Sequence, residues 1–126
     1  MALKRLLGLI GLAMALSAPA YAAGDAPFAS GFYVPADLSN SCKDKNFEAY
    51  DWVLKFGSRN GRMTMGSSEG VCALSNLKKL SSSRYSGQLE CNSQGEVSKS
   101  QLTFKTGAGN KITEIDGQAY AFCGAK

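Results

Sequence analysis

Tyr50-Asp51-Trp52-Val53-Leu54-Lys55-Phe56 sets a large side chain at every second position, with Asp51, Val53 and Lys55 between. That period-two pattern is the signature of a half-buried strand, and it predicts an aromatic inner face built from Tyr50, Trp52, Leu54 and Phe56. A helix would scatter the same four side chains around its cylinder. Asn60-Gly61 follows, the dipeptide best suited to positive φ in a tight turn. Arg62-Met63-Thr64-Met65 can then return as the partner strand, so a first hairpin is expected here.

Working outward, Gly66 to Gly70 reads as a Gly/Ser loop, and Val71 to Leu80 as a strand or irregular edge running into Ser81-Ser82-Ser83. Tyr85, Leu89 and Cys91 fall on one face of the next strand. A turn at Asn92 to Gly95 leads into Glu96 to Lys105, with Leu102 and Phe104 inward. After a reversal at Gly107 to Asn110, Ile112 to Ile115, the Asp116-Gly117 turn and Gln118 to Cys123 form a last hairpin. Upstream, Gly31 to Val34 is a short strand stopped by Pro35, Asp37 to Asn46 a polar loop carrying Cys42, and Ala23 to Ala29 a frayed terminus. About seven short strands separated by turn signals, with no convincing helix, predict an all-β antiparallel meander. Such a sheet removes its edges by closing into a small β-barrel or folding into a sandwich.

The first 22 residues predict a secretory signal peptide. Lys4 and Arg5 precede the apolar run Leu6 to Leu16, which is too short to span a bilayer, and Ala20-Tyr21-Ala22 supplies small residues at −3 and −1. Cleavage after Ala22 leaves 126 − 22 = 104 residues, enough for a single domain over 23–126. No cysteine lies at the junction to accept a lipid anchor. Losing Lys4 and Arg5 leaves 14 − 2 = 12 basic against 10 acidic residues, or +2. That balance does not ask for nucleic acid. The expected product is a soluble periplasmic protein, a monomer or weak dimer.

Cys42, Cys72, Cys91 and Cys123 all lie in the exported part, and an even number there predicts two disulfides. A metal site would want closely spaced cysteines, usually with histidines, and the chain has no histidine, so neither metal nor cofactor is expected. Four cysteines allow three connectivities. Folding Val71 to Leu80 against Arg84 to Cys91 sets Cys72 opposite Cys91 and leaves Cys42 for Cys123. This nested pairing is favoured over Cys42–Cys72 with Cys91–Cys123, which stays open.

No catalysis is expected. Without histidine the usual general base is missing, and oxidised cysteines are not nucleophiles. Carboxylates gather at Asp44, Glu48 and Asp51, and again at Glu114 and Asp116, as solvated faces do. Gly66 to Gly70 lacks the lysine and helix of a phosphate loop. What remains is recognition through loops on a stapled scaffold. Ser81-Ser82-Ser83-Arg84-Tyr85-Ser86-Gly87 is the suggestive loop, since Arg and Tyr dominate binding hot spots.

Ser81 to Tyr85 and Phe104-Lys105-Thr106-Gly107 resemble two motifs of the periplasmic inhibitors of C-type lysozyme from Gram-negative bacteria. The first matches a serine and a tyrosine, with Ser82 where that family has glycine. The second is similar to its aromatic, lysine and glycine, with Thr106 inserted. The resemblance implies a small antiparallel barrel, with a cysteine pair joining its first and last strands that would correspond to Cys42 and Cys123. It also implies that Ser81 and Tyr85 enter the cleft of a host C-type lysozyme while Lys105 pairs with a catalytic carboxylate; Ser82, Ser83 and Arg84 complete the expected partner-binding loop. The alternative is an envelope binding module without enzymatic activity, either a small-ligand barrel or an accessory of a surface complex.

Overall fold

A computed structural model describes residues 26–59 and 62–125. The predicted signal peptide and the Asn60-Gly61 turn lie outside the described residues. Eight antiparallel strands follow one another around a closed barrel: β1 Gly31–Pro35, β2 Leu54–Arg59, β3 Arg62–Ser67, β4 Gly70–Lys79, β5 Arg84–Ser93, β6 Glu96–Thr106, β7 Ile112–Ile115 and β8 Gln118–Gly124. Each strand pairs with its neighbour in sequence, and β8 returns to β1 through Tyr120↔Pro35, Ala121↔Val34 and Phe122↔Tyr33. Closure leaves no sheet edge to pair elsewhere. The expectation of a barrel or sandwich thus resolves to a barrel, with eight strands.

An eight-stranded barrel is just wide enough for side chains to fill. Tyr33, Phe56 and Phe104 are almost wholly buried, joined by Met63, Leu74, Leu77, Tyr85, Leu89, Leu102, Ile112 and Ile115. Leu102 and Phe104 point inward as predicted, and the face shared by Tyr85 and Leu89 is also the inner one. Tyr33 lies edge-on to Phe56 with centroids 5.6 Å apart. Its hydroxyl donates to the Ala29 carbonyl (2.6 Å) and accepts from the Ile112 N–H (3.3 Å), so the buried polar atom is satisfied. Burial raises its pKa above the ordinary tyrosine value, partly opposed by the Ile112 hydrogen bond.

Several local expectations are corrected. The long aromatic strand begins only at Leu54, because Phe47–Ala49 forms a 3-10 turn and the Val53 N–H donates to the Tyr50 carbonyl (3.2 Å), reversing the chain. Tyr50 and Trp52 stack on each other outside the barrel, centroids 4.6 Å apart, and Trp52 is 38% exposed. Its Nε1 donates to Ser41 Oγ at 3.2 Å. Phe28, from the segment read as a frayed terminus, joins the core instead. Phe28 packs edge-on to Phe56 (5.4 Å) and Phe104 (5.9 Å), and the Ala29 N–H donates to the Asn110 carbonyl. The loop expected over Gly66 to Gly70 shrinks to Ser68 and Glu69, since β3 continues through Ser67.

Between β1 and β2 the chain leaves the barrel through a 3-10 segment, Ala36–Lys43. This excursion covers the outer face of β1 and β8, where Phe32, Val34, Phe47 and Val53 form a second apolar cluster beside Cys42 and Cys123. Cys42 bonds Cys123 and Cys72 bonds Cys91, the favoured nested pairing. Spanning 81 and 19 residues, the bridges remove loop entropy worth about 4–5 and about 3 kcal/mol from the unfolded chain. The predicted Asp116-Gly117 turn is present, with positive φ at both residues (49° and 86°) as the tight hairpin turn requires.

The barrel's seam depends on Gly31, which has φ +147° and whose added Cβ would run into the Gly124 carbonyl oxygen. Gly31→Ala is expected to cost roughly 2–5 kcal/mol, and a denaturant midpoint equal to wild type would overturn that account. The chain has one tryptophan. Its fluorescence should therefore be red-shifted and quenched by acrylamide in the native state, whereas protected, blue-shifted emission would return Trp52 to the core.

Candidate functional site

Alternating hairpins give the barrel two ends, and the predicted binding residues collect at one of them. The β4–β5 connection is a tight loop in which the Leu80 and Ser81 N–H groups both donate to the Arg84 carbonyl (2.7 and 3.3 Å). Ser81 and Ser82 are exposed and Ser83 is half-buried, its carbonyl accepting from the buried Thr106 N–H at 2.8 Å. Register then sets Arg84 directly opposite Lys105, and Lys105 opposite Glu114. The two stretches singled out in the sequence are therefore neighbours on one rim.

Tyr85 is the exception. It is 6% exposed and stacks on Phe104 with centroids 5.3 Å apart, so its ring belongs to the core and offers no face to a partner. The cause is strand parity: Tyr85 and Leu89 point inward together, while Arg84 and Ser86 point outward. Its role at the rim is corrected to holding β5 against β6.

On the outer surface Arg84, Lys105 and Glu114 form a row across three strands. Arg84 Nη1 lies 3.7 Å from Glu114 Oε1, with both side chains substantially exposed. Two like charges opposite each other on paired strands repel, and Glu114 offsets that repulsion. Solvent leaves such a pair worth about 0–1 kcal/mol, so it orients the guanidinium more than it stabilises the barrel.

The same end carries a charge pattern that composition conceals. Arg62 opens β3, Lys78 and Lys79 close β4, Arg84 opens β5, Lys105 lies near the end of β6 and Lys111 precedes β7. Lys111 Nζ lies over the Phe122 ring at 5.4 Å. Glu69, Glu96 and Asp116 instead sit at or beside the hairpin turns of the opposite end. A nearly balanced chain thus folds into a barrel with one cationic end.

Two short spellings associated with serine nucleophiles do occur, but without the structural setting such chemistry needs, and metal and pocket features are likewise slight. Gly66-Ser67-Ser68-Glu69-Gly70 is spelled like a nucleophile elbow, G-x-S-x-G, yet it spans a β-hairpin rather than a strand-to-helix turn, and the chain has no histidine to serve it. Ser75-Asn76-Leu77-Lys78 is spelled S-x-x-K but lies on β4 across an irregularity, with φ +54° at Asn76, not on a helix. Among the described residues no group of His, Cys, Asp and Glu could hold a metal. A groove of about 160 Å³ beside Phe32, Val53 and Val71, and one of about 240 Å³ over Cys72 and Cys91, are surface features. Both are smaller than the roughly 300–1,000 Å³ of ordinary ligand pockets.

No family model matches this chain, and neither the curated proteins nor the solved structures include a match.

These placements separate structure from recognition. Tyr85→Ala should cost about 3–5 kcal/mol through the cavity it leaves, whereas Ser82→Ala and Lys105→Ala should stay within about 1 kcal/mol of wild type. Chemical denaturation measures all three. A Tyr85→Ala variant as stable as wild type would move that ring out of the core.

Proposed function

We propose that this protein is an exported, non-catalytic inhibitor of C-type lysozyme that acts in the periplasm through the rim of Ser81, Ser82, Ser83, Arg84 and Lys105. The observation that carries the reading is the register Arg84↔Lys105, reinforced by the hydrogen bond from the Thr106 N–H to the Ser83 carbonyl. It joins the serine loop and the Phe104-Lys105 motif, separate in sequence, into one surface. A closed antiparallel barrel, with a bridge from the segment after its first strand to its last strand, supports the same resemblance.

The chemistry is short-ranged. Lys105 would place its ammonium between the carboxylates of the enzyme's cleft, a charge-assisted contact strengthened where water is excluded. Ser81 and Ser82 present hydroxyls that both donate and accept, and Arg84 extends the cationic edge. Tyr85 contributes from behind, by fixing the strand pair that carries these groups. Among the alternatives, a small-ligand barrel has little support, because aromatic side chains fill the interior.

Lysis of a peptidoglycan suspension by C-type lysozyme should slow when the oxidised protein is added. Lys105→Ala should weaken inhibition by roughly tenfold or more, the loss expected for a charge-assisted hydrogen bond. Unchanged lysis at large molar excess would overturn the function, and full inhibition by Lys105→Ala would overturn the site.

A further inference from the structure

The outer wall of this barrel is not built to face lipid. Lys55, Thr64, Gln88, Glu90, Lys99, Gln101, Thr103 and Lys105 occupy its outward positions, and the apolar Phe32 and Val34 are covered by the Ala36–Lys43 excursion and Phe47. A barrel that spans a bilayer needs the reverse arrangement, with an apolar band outside. The cationic end is a different surface. Arg62, Lys78, Lys79 and Lys111 are exposed there, at the start of β3, the end of β4 and just before β7. Leu80 lies at the tip between Lys79 and Arg84 and is 55% exposed. An apolar side chain displayed at a loop tip among cations is the combination that binds an anionic lipid interface: charge collects the protein and the apolar tip enters the headgroup region.

We propose that this end is a peripheral docking surface for a bilayer rich in anionic phospholipid, with Arg62, Lys78, Lys79 and Lys111 on headgroup phosphates and Leu80 in the interface. The proposal does not rest on lysozyme inhibition: Leu80 shares the β4–β5 loop with the serines assigned to it, but Arg62, Lys78, Lys79 and Lys111 are separate from that rim. Nucleic acid fits the end less well. Single strands are held by exposed aromatic platforms, whereas Phe28, Tyr85 and Phe104 are buried and the half-buried Phe122 ring lies under Lys111. The acidic turns opposite, with Glu69, Glu96 and Asp116, orient the barrel with its cationic mouth toward a negative surface.

The test is co-sedimentation of the full mature protein with vesicles of phosphatidylcholine mixed with phosphatidylglycerol, against phosphatidylcholine alone. Binding should require the anionic lipid and fall as salt rises. Each cation near such a surface contributes roughly fivefold to partitioning, so Lys78→Glu with Lys79→Glu should weaken binding by roughly a hundredfold or more. Leu80→Ser should weaken it by about fivefold to tenfold. Lys55→Glu with Lys99→Glu, the same charge change away from this end, should cost much less. All these side chains but Leu80 are charged and exposed, and far-UV circular dichroism will show that the barrel is retained. Equal sedimentation with both vesicles would overturn the proposal, as would equal loss in the two double variants. Tighter binding to duplex DNA than to the anionic vesicles would replace it with a nucleic-acid site.

Discussion

Everything in this fold follows from the pairing of β8 with β1. Until Phe122 lies beside Tyr33, the meander has two open edges and no defined inside. Once it does, alternation along each strand assigns every residue to a packed interior or a wet exterior. The seam is narrow: Gly31 approaches Gly124 so closely that a Cβ has no room. The Cys42–Cys123 bridge sits at the same seam, on its outer side, tying the excursion after β1 to the strand that closes the barrel. Covalent and hydrogen-bonded closure therefore act at one place.

Closure also sorts charge. In an up-and-down barrel successive connections alternate between ends, so residues that look interspersed along the chain are separated by half of the turns they occupy. Lys78, Lys79, Arg84, Lys105 and Lys111 go to one end, and Glu69, Glu96 and Asp116 to the other. Net charge is blind to this. The small net charge, +4 over the whole sequence, argues against a strong long-range field over the whole molecule, but it says nothing about the field at one mouth.

The strand pattern was legible where period two ran unbroken between turns. Leu102 and Phe104, Tyr85 and Leu89, and the Asp116-Gly117 hairpin all reached their expected positions, and the hairpin logic that set Cys72 against Cys91 gave both disulfides. It failed at Tyr50 and Trp52, where side-chain spacing mimicked a strand across a backbone reversal that only the Val53 to Tyr50 hydrogen bond reveals. Phe28 was illegible for the opposite reason: an isolated aromatic among small residues has no periodicity to read. For the rim, parity already required Tyr85 to accompany Leu89 inward, a conflict with its assignment to a partner that the burial resolves. Spacing could not show Arg84 beside Lys105, since that contact depends on register.

On the proposed reading, the row Arg84, Lys105, Glu114 lets a cationic rim recognise carboxylates without being committed to its own. Glu114 keeps the neighbouring cations from repelling each other while the site is empty, and its 3.7 Å contact with Arg84 is exposed and therefore weak. A carboxylate entering from a partner competes with Glu114 for the same row at little cost, and the exchange releases one screened contact for one made in a drier cleft. Recognition of this kind is local. Toward a basic enzyme it gains no steering and depends on close fit, whereas toward an extended anionic surface the whole cationic end acts at once. Of the two proposed interactions, the first depends on geometry at the rim and the second on the sorting of charge by the barrel.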